Sequence, residues 1–411
     1  MKIELHLIQN FAPSCLNRDD TNSPKDCVFG GVRRARISSQ CIKRAIREWW
    51  RKNDHEKLVG KRTVRLVEDL ADSVAAATGA ERSHAIAAAG ALVKATLVKK
   101  MKLDKKTGKT LTSYMVILSD RERAALADFL IQNWKELAKD AAKAAKSAKP
   151  EVEAEDESDS PDEAEDKEAK EDKTPLGKAM KKLKASAAIG EVGISADIAM
   201  FGRMLADYVT RNVDAACQVA HAVSTNKVEM EMDFFTAVDD LKADDEDAGA
   251  GMMGVIGYNS ACFYRYAVVD WGQLVKNLGQ NEEAAEECLK EFVLALSSAL
   301  PTGKQNTFAN HQPCDFILAS VRHKGAPLSL ANAFVQHLKP THNKDLIQTS
   351  VDAMKAYYDK VHAVYGDQWD LDGPFYCGMT QPSPNGDGWE NVGSLSALVA
   401  KVLGVVREKT S

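Results

Sequence analysis

Polar and apolar residues alternate in two stretches of the chain, residues 2–9 and 228–241, with the two-residue period of a β-strand. Residues 258–271 have the composition of a further, strong strand. Residues 228–241 and 258–271 flank a polar, glycine-rich segment, residues 242–254, and together they predict a long β-hairpin with that segment at its tip. Residues 111–118 are predicted to form a short strand or a buried extended segment.

A helical period predicts most of the other elements. Residues 63–101 are alanine-rich and helical in pattern, with a break at Gly79. Ser119 and Glu122 match a capping box, which predicts a helix that continues to about residue 148. Further helices are predicted at about residues 281–299, 328–338, 344–363 and 391–406.

These elements predict an α+β protein with a split core. The core comprises residues 1–59 and 191–411 and carries the predicted hairpin at about residues 224–262. Residues 60–190 are predicted to form a helical insertion in that core.

The strongest chemical signal is a basic segment that leads into a predicted helix. Ser38 or Ser39 can cap this helix, since a serine hydroxyl accepts from the free N–H groups of the first turn. Apolar residues then recur at helical spacing, at Ile42, Ala45, Ile46 and Trp49. Residues 33–52, here called the basic segment, contain eight cations and one acid. The cations are Arg33, Arg34, Arg36, Lys43, Arg44, Arg47, Arg51 and Lys52.

Two readings of this basic segment are open. Such a charge run can be the solvated face of an amphipathic helix. However, three arginines precede the helix N-terminus, where free N–H groups and the helix dipole favour a phosphate. The pair Gly30-Gly31 allows a left-handed turn or a close backbone approach beside it. The combination favours phosphate binding.

The overall charge hides two very different regions. The formal net charge is -5. Residues 151–172 alone contain 13 acids and 2 lysines, so the rest of the chain has 52 basic and 46 acidic residues, a balance of +6. A like-charged run without aromatic residues is predicted to be disordered. We expect this acidic segment to screen neighbouring lysines from non-specific DNA.

Composition excludes several classes of protein. The eight cysteines form no CxxC pair, which predicts reduced thiols and no zinc or disulfide framework. The sequence contains no run of 18 apolar residues, so no membrane span is predicted. Residues 1–11 do not resemble a signal peptide. A cytoplasmic protein without membrane contact is expected.

Motifs for catalysis and cofactors are weak. Residues 249–254 match GxGxxG, but they lack the preceding strand and following helix of a dinucleotide site. A Gly-Lys pair ends at Lys304 without the earlier glycine of a phosphate-binding loop. His221 is expected to be a core residue. Asp19 and Asp20 could bind a metal, but we expect them to pair with nearby arginines. No catalytic residue, metal or cofactor is predicted.

Two groups of residues fit a nucleic-acid interface. Aromatic and apolar residues on the predicted hairpin could stack on bases or form the hairpin's own core, namely Phe234, Phe235, Met252 and Met253. Five lysines at spacings of 4, 4, 3 and 3 line one face of a predicted helix, either as a solvated face or as a contact for a duplex backbone. This lysine stripe comprises Lys135, Lys139, Lys143, Lys146 and Lys149.

Several motifs resemble the CasC-type backbone subunits of the type I-E CRISPR Cascade complex, which belong to the RAMP superfamily. Near the N-terminus the resemblance rests on CLNRDD, FGG, RRARISSQ and KRAIR. Downstream it rests on ADIAMFGRML, AACQVAHAVSTNKV, DFFTAVDDL, FYRYAVVD and PTGKQNTFAN. It covers most of the chain in order, whereas residues 60–190 match poorly in detail and the acidic segment departs from it.

The resemblance implies a modified RNA-recognition-motif (ferredoxin-like) palm, a helical fingers insertion and a β-hairpin thumb. Copies of such subunits stack head to tail along the CRISPR RNA with other Cascade subunits, and each thumb displaces one nucleotide so that the intervening bases pair with target DNA. The implied RNA-backbone contacts are Arg18, Lys25, Ser38, Gln40, Lys43 and Arg47. The residues implied near the thumb are Met204, Phe234, Phe235, Thr236 and Met252 or Met253. The implied DNA contacts are the lysine stripe and Lys304.

The sequence therefore predicts a non-catalytic CRISPR RNA scaffold in antiviral defence. A guide holder must bind phosphates without reading bases, since base pairing supplies the specificity. One alternative is a metal-dependent endoribonuclease that uses Asp19 or Asp20. Another is a single-strand RNA binder outside CRISPR systems, which would leave no regular footprint.

Overall fold

The computed structural model describes residues 1–147, 174–189, 192–237, 252–383 and 388–410. The strands are β1 (Lys2–Ser14), β2 (Asp26–Phe29), β3 (Val32–Ile37), β4 (Lys61–Thr63), β5 (Met101–Leu103), β6 (Thr110–Thr112), β7 (Val116–Leu118), β8 (Cys217–Val219), β9 (Ala222–Ser224), β10 (Glu231–Ala237), β11 (Met252–Asp270), β12 (Phe316–Lys324), β13 (Asp370–Gly378) and β14 (Glu390–Asn391).

The described residues also form helices of different lengths. They are α1 (Ser39–Lys52), α2 (Leu66–Thr78), α3 (Arg82–Thr96), α4 (Asp120–Gln132), α5 (Trp134–Ser147), α6 (Pro175–Lys182), α7 (Ala196–Phe201), α8 (Trp271–Asn277), α9 (Glu282–Ser298), α10 (Gln305–Phe308), α11 (Leu346–Tyr365) and α12 (Leu395–Thr410). None of these helices, in the described part of the chain, is both long enough and apolar enough to span a bilayer.

The chain divides into two compact units. The first unit comprises Met1–Glu56, Ala216–Lys276 and Asn281–Ser411, and the second comprises Lys57–Ala215 and Asn277–Gln280. The mixture of a large sheet with helices is the α+β class that the sequence predicts.

The first unit is built on a ten-stranded mixed sheet. Its main path runs β14-β13-β12-β1-β11-β9-β3-β2, and both β8 and β10 also pair with β11. The central strand β1 is antiparallel to β11 and β12, whereas β13 and β14 are parallel. The predicted strand at residues 2–9 is confirmed and is longer than expected. Because β1 lies in the middle of the sheet, its side chains are buried on both faces.

Polar residues of β1 are buried together with apolar ones. Glu4 pairs with Arg322 of β12 at 2.9 Å, and its Oε1 also accepts from the backbone N–H of Leu328 at 2.8 Å. The Nδ1 atom of His6 lies 2.9 Å from the hydroxyl of Tyr264. Burial, and then the nearby Arg322 guanidinium, lower the pKa of His6 from 6.5 to about 3.

The buried His6 should make folding stability depend on pH. Its pKa is lower in the folded chain than in the unfolded chain, so the unfolded chain binds more protons and stability falls as the pH drops from about 6.5 towards 3. Between pH 7 and pH 5 we expect this group alone to remove about 2 kcal/mol. Denaturant unfolding of the wild type and of His6→Gln at both pH values measures the difference. An identical pH dependence in the two proteins would contradict this assignment.

The second unit is a cluster of helices with two small two-stranded sheets. Helices α2 to α6 share one apolar core, which includes Leu70, Leu92, Leu126, Leu137 and Met180. One antiparallel pair joins β4 to β7, which are distant in sequence, and the other is the hairpin of β5 and β6. The helix break predicted at Gly79 is confirmed, since this residue ends α2 in a left-handed conformation with φ of +68°.

The predicted capping box is confirmed, but the helix that it begins is shorter than expected. The Ser119 hydroxyl accepts from the Glu122 backbone N–H, while the Glu122 carboxylate accepts from the Ser119 N–H. Glu122 also pairs with the buried Arg203 at 2.7 Å. The chain then breaks at Asn133, whose side-chain amide donates to the Phe129 carbonyl at 2.8 Å, and α5 starts directly afterwards.

Two other predicted elements are wrong in extent. Residues 111–118 are not one strand but parts of β6 and β7, separated by a turn in which the Thr112 hydroxyl donates to the Tyr114 carbonyl at 2.7 Å. Residues 328–338 contain only the 3₁₀ turn Ala331–Phe334. A regular helix does not form there because the carbonyls of Phe334 and Val335 accept from the Arg34 guanidinium instead.

Candidate nucleic-acid interface

The loop of residues 15–25, here called the basic loop, is shaped by Asp19. The Asp19 carboxylate accepts from the backbone and the hydroxyl of Thr21, at 2.9 and 2.7 Å, and from the backbone N–H of Ser23 at 3.0 Å. The hydrogen bond from the Thr21 hydroxyl is the main reason why the pKa of Asp19 lies below its usual value. The expected pairing of Asp19 with arginines is therefore wrong, since this carboxylate orders its own turn.

Arg18 projects from the basic loop. It is exposed, and its Nη1 atom donates to the side-chain oxygen of Asn22 at 2.8 Å. The loop is tied to the start of α1, because the Asn17 side chain accepts from the Ser38 backbone N–H at 2.9 Å. The Lys25 N–H also donates to the Asn17 carbonyl, at 2.8 Å. Arg18 is thus held beside a helix N-terminus.

Helix α1 begins as the sequence predicts. The Ser38 hydroxyl accepts from the Cys41 N–H at 3.3 Å, which identifies Ser38 as the N-cap. The buried stripe includes Ile42 and Ile46, but it ends on Trp50 rather than on the predicted Trp49. Trp50 is fully buried, and its indole N–H donates to the Glu291 carbonyl of α9 at 3.1 Å.

The residues of this region that are predicted to contact RNA differ in how much of their surface reaches solvent. Arg18, Arg33, Gln40 and Arg44 are exposed, whereas Lys25, Arg36 and Lys43 are half-buried. Ser38 and Arg47 are buried, each with 6% of its surface exposed. Because Arg47 is buried, Lys43 and Arg44 are the cations in the first turns of α1 that reach solvent.

Arg34 lies inside the fold and serves a structural purpose. Its two terminal nitrogens donate to the carbonyls of Ser224, Thr225 and Phe334 at 2.7–2.9 Å. The residue is 0% exposed and joins three separate segments of the first unit. The expectation that Arg34 contacts RNA does not hold in this structure, because its guanidinium has no exposed face.

Arg36 lies in a small cationic group at the edge of the sheet. Its Nε atom donates to the Asp26 carbonyl at 3.0 Å, and its Nη1 atom lies 3.0 Å from the ring nitrogen of His221. Burial lowers the pKa of His221, and the charges of Arg36 and Lys25 lower it further. His221 is exposed, so the expectation of a core histidine is wrong. A neutral His221 ring accepts from Arg36 and orients it.

The basic loop and α1 border an open cleft together with residues 301–303. A Cβ atom at Gly303 would lie 2.3 Å from the Leu16 carbonyl oxygen, so only glycine permits this close approach of the two backbones. The cleft has a volume of about 450 Å³. We call it the basic cleft; it is lined by Leu16, Asn17, Arg18, Asp19, Asn22, Cys41, Arg44, Ala45, Glu48, Pro301, Thr302 and Gly303.

Lys304 follows the cleft wall directly. It takes a left-handed backbone conformation with φ of +50°, and it is half-buried. Burial raises the pKa of the Cys15 thiol, while the nearby charges of Arg18 and Lys304 oppose that rise. Both cations therefore lie near the same point of the basic loop.

The predicted hairpin is confirmed as β10 and β11, and one of its faces is apolar and exposed. Phe234 pairs with Val255 and Thr236 pairs with Met253, while Met232 continues the same face towards the base. Four apolar side chains on this face are 62–66% exposed. We call it the apolar hairpin face; the four side chains are Met232, Phe234, Met253 and Val255. Sequence reasoning missed Met232 and Val255, although their alternation with polar or small residues was the available signal.

The two phenylalanines of the hairpin have different roles. Phe235 lies on the opposite face, and a Cβ atom at its cross-strand partner Gly254 would lie 2.4 Å from its ring. Phe235 thus packs across the hairpin, whereas Phe234 and Met252 are exposed. Near the hairpin base, a Cβ at Gly257 would touch Pro24 of the basic loop at 3.4 Å. The base of the hairpin therefore lies against Pro24 of the basic loop. Residues 242–251 of the predicted tip lie outside the described residues.

The second unit contains the other predicted site residues. Met204 follows α7 and is 82% exposed. The lysine stripe lies on α5, whose opposite side buries Leu137 and Ala141. Four of its members are exposed, namely Lys135, Lys139, Lys143 and Lys146. Lys149 and the acidic segment 151–172 lie outside the described residues.

Metal ligands are not gathered in the described parts of either unit. Among those residues no group of three or more His, Cys, Asp and Glu side chains has a geometry that could hold a metal ion.

The family of the chain follows from comparison with known proteins. The family described as CT1975-like protein matches residues 3–399, so the chain belongs to this family. A solved chain from a "CRISPR RNA-guided surveillance complex, pre-nicking" is 28% identical with a TM-score of 0.79, over 98% of this chain and 100% of that one. A chain from a "CRISPR RNA-guided surveillance complex" is 24% identical with a TM-score of 0.69 over the same shares, and supports the fold alone. No curated protein matches the chain.

Proposed function

We propose that this protein is a CRISPR RNA-binding scaffold subunit of a type I-E Cascade, of the CasC type. In this proposal several copies stack head to tail along the guide spacer, together with other Cascade subunits, and present the guide to target DNA. The observation that carries it is the apolar hairpin face, on a hairpin whose base lies against the basic loop of the same unit. The similarity of the whole chain to a surveillance-complex subunit supports it.

The first unit offers the two kinds of contact that a guide holder needs. Arg18, Arg44 and Lys304 surround or follow the basic cleft and can hold phosphates without reading the bases. The apolar hairpin face can stack on or separate bases of any sequence. In this proposal the sheet of the first unit is the RRM-like palm, the hairpin is the thumb and the second unit is the fingers, in which the lysine stripe contacts target DNA.

We propose further that the subunit is not a nuclease. The Asp19 carboxylate, the aspartate that an endoribonuclease would use, accepts three hydrogen bonds from its own turn. A divalent-metal cleavage assay on bound RNA tests this, with Asp19→Asn and Asp20→Asn as variants. We expect no cleavage by any of the three proteins. Cleavage by the wild type that is lost in one variant would establish the endoribonuclease alternative.

A nuclease footprint of CRISPR RNA, bound with the companion subunits, tests the scaffold role. We expect evenly spaced exposed nucleotides, because each copy's hairpin displaces one of them. The double variant Phe234→Ser/Met253→Ser should lose this regularity and bind the guide about 10-fold more weakly, since stacking contributes ~1–3 kcal/mol per base. The matched control Val364→Ser/Met379→Ser replaces residues that are 62% and 67% exposed elsewhere in the first unit.

Three outcomes separate the possible functions. Even spacing that is lost in the hairpin variant and kept in the control supports the scaffold. Uniform protection by the wild type indicates a single-strand RNA binder without a filament. Even spacing that persists in the hairpin variant would show that another element displaces the nucleotides.

A further inference from the structure

The hairpin of β5 and β6 in the second unit carries a dense positive charge that the functions above leave unused. Residues 99–109 contain six lysines and a single acid, Asp104. Five of the lysines are exposed and Lys109 is half-buried. We call these residues the lysine hairpin; its exposed members are Lys99, Lys100, Lys102, Lys105 and Lys106.

Asp104 forms the turn of the lysine hairpin. Its carboxylate accepts from the Lys106 backbone N–H at 3.1 Å and from the Thr107 hydroxyl, and its carbonyl accepts from the Gly108 N–H at 2.8 Å. The hydrogen bond from Thr107 is the main reason why the pKa of Asp104 is lowered. Within the described residues no ion pair is formed by any lysine of this hairpin. In the part of the chain that the structure describes, the charge of the exposed lysines therefore faces solvent.

The lysine hairpin is braced on the second unit at both strands. The Lys99 backbone N–H donates to the Asp207 carboxylate at 2.8 Å, and the Thr110 N–H donates to the Glu68 carboxylate at 2.8 Å. Glu68 is itself buried and held by Arg82 at 2.6 Å. A hairpin fixed in this way loses little backbone freedom when it binds a ligand, which favours a preformed contact surface.

The chemistry of the surface points to a phosphate backbone. Lysine ammonium groups act as point charges for phosphate, whereas sequence-tolerant binding of single strands relies on aromatic stacking. Residues 99–109 contain no aromatic side chain. Duplex DNA carries one negative charge per about 1.7 Å of helix axis and needs no stacking partner.

We propose that the lysine hairpin binds the phosphate backbone of duplex DNA. The site is separate in sequence from the lysine stripe on α5 and adds a second DNA contact to the same unit. The inference deepens the proposed function and rests on it only for the identification of that duplex as target DNA.

Duplex affinity of the full chain, measured by fluorescence anisotropy over a range of salt concentrations, tests the site. The test variant is Lys102→Ala/Lys105→Ala/Lys106→Ala. The matched control, Lys276→Ala/Lys360→Ala/Lys409→Ala, removes the same charge from exposed positions of the first unit. We expect the slope of log K against log[salt] to be shallower by about 3 in the test variant alone, with at least about 10-fold weaker binding near 0.1 M salt. Thermal melting checks that both variants fold.

The other outcomes would overturn the inference. Equal slopes in the test and control variants would show that these lysines do not contact DNA. An equal loss of affinity for single-stranded RNA would show that the hairpin does not select a duplex.

The proposed function fails independently of this site. A guide footprint without regular spacing in the wild type would reject the scaffold, while the duplex measurement, which uses no guide, would still decide the role of the lysine hairpin.

Discussion

Reversing two charges at the basic cleft should weaken guide binding by about 100-fold or more near 0.1 M salt. The change is Arg18→Glu/Arg44→Glu, and both residues are exposed and line the cleft. Each neutralised phosphate of a single strand contributes about -0.7 to the salt slope. Two lost contacts alone therefore weaken binding by about 25-fold near 0.1 M salt, and repulsion by the new carboxylates adds to this effect.

The measurement is anisotropy of labelled single-stranded guide RNA as a function of salt. The control Lys276→Glu/Lys360→Glu makes the same change of charge at exposed positions outside the cleft. If the two double variants bind the guide equally well, the effect is only that of net charge and the cleft is not a phosphate site. A shallower slope in the cleft variant alone locates the contacts.

The second large effect concerns folding, at the turn between β2 and β3. We expect Gly30→Ala to destabilise the protein by more than about 4 kcal/mol, because its Cβ would lie 1.7 Å from the Val335 carbonyl oxygen. The same carbonyl accepts from Arg34 at 3.2 Å. A methyl group at residue 30 would therefore push Val335 away and break part of the buried Arg34 network as well.

Gly31 provides a matched control for this prediction. It also has a positive φ, +78°, but a Cβ there would meet no atom within 4 Å. Gly31→Ala should therefore cost only the left-handed backbone strain, about 1–2 kcal/mol. Denaturant unfolding of both variants measures the difference. Equal destabilisation would mean that the close approach to Val335 does not exist in solution.

Local patterns were sufficient for the elements that carry the site. Alternation identified β1 and β10, strand-forming composition identified β11, and the serine before an apolar stripe identified the start of α1. These features depend on residues that are close together in sequence. The pair Gly30-Gly31 was recognised as a turn for the same reason, and both residues have a positive φ.

The features that could not be predicted depend on contacts between distant segments. Arg34 resembles its neighbours Arg33 and Arg36 in sequence, yet it is buried because carbonyls near residues 224 and 334 converge on it. His221 lies in an apolar stretch but faces solvent because it lies in the short connection between β8 and β9, beside Arg36. The lysine hairpin is local in sequence, but its strands have only three residues each, which is too short for an alternating pattern to identify them.

The apolar hairpin face has a consequence for the subunit before it meets a guide. Strand β10 pairs only with β11 among the described strands, so its outer edge is open and its exposed side chains include Met232 and Phe234. An open apolar edge can pair with another chain and start aggregation. Glu231 and Asp233 alternate with these residues on the same strand, and their charges oppose such pairing. Solubility of the free subunit thus depends on two carboxylates next to the surface proposed to meet RNA bases.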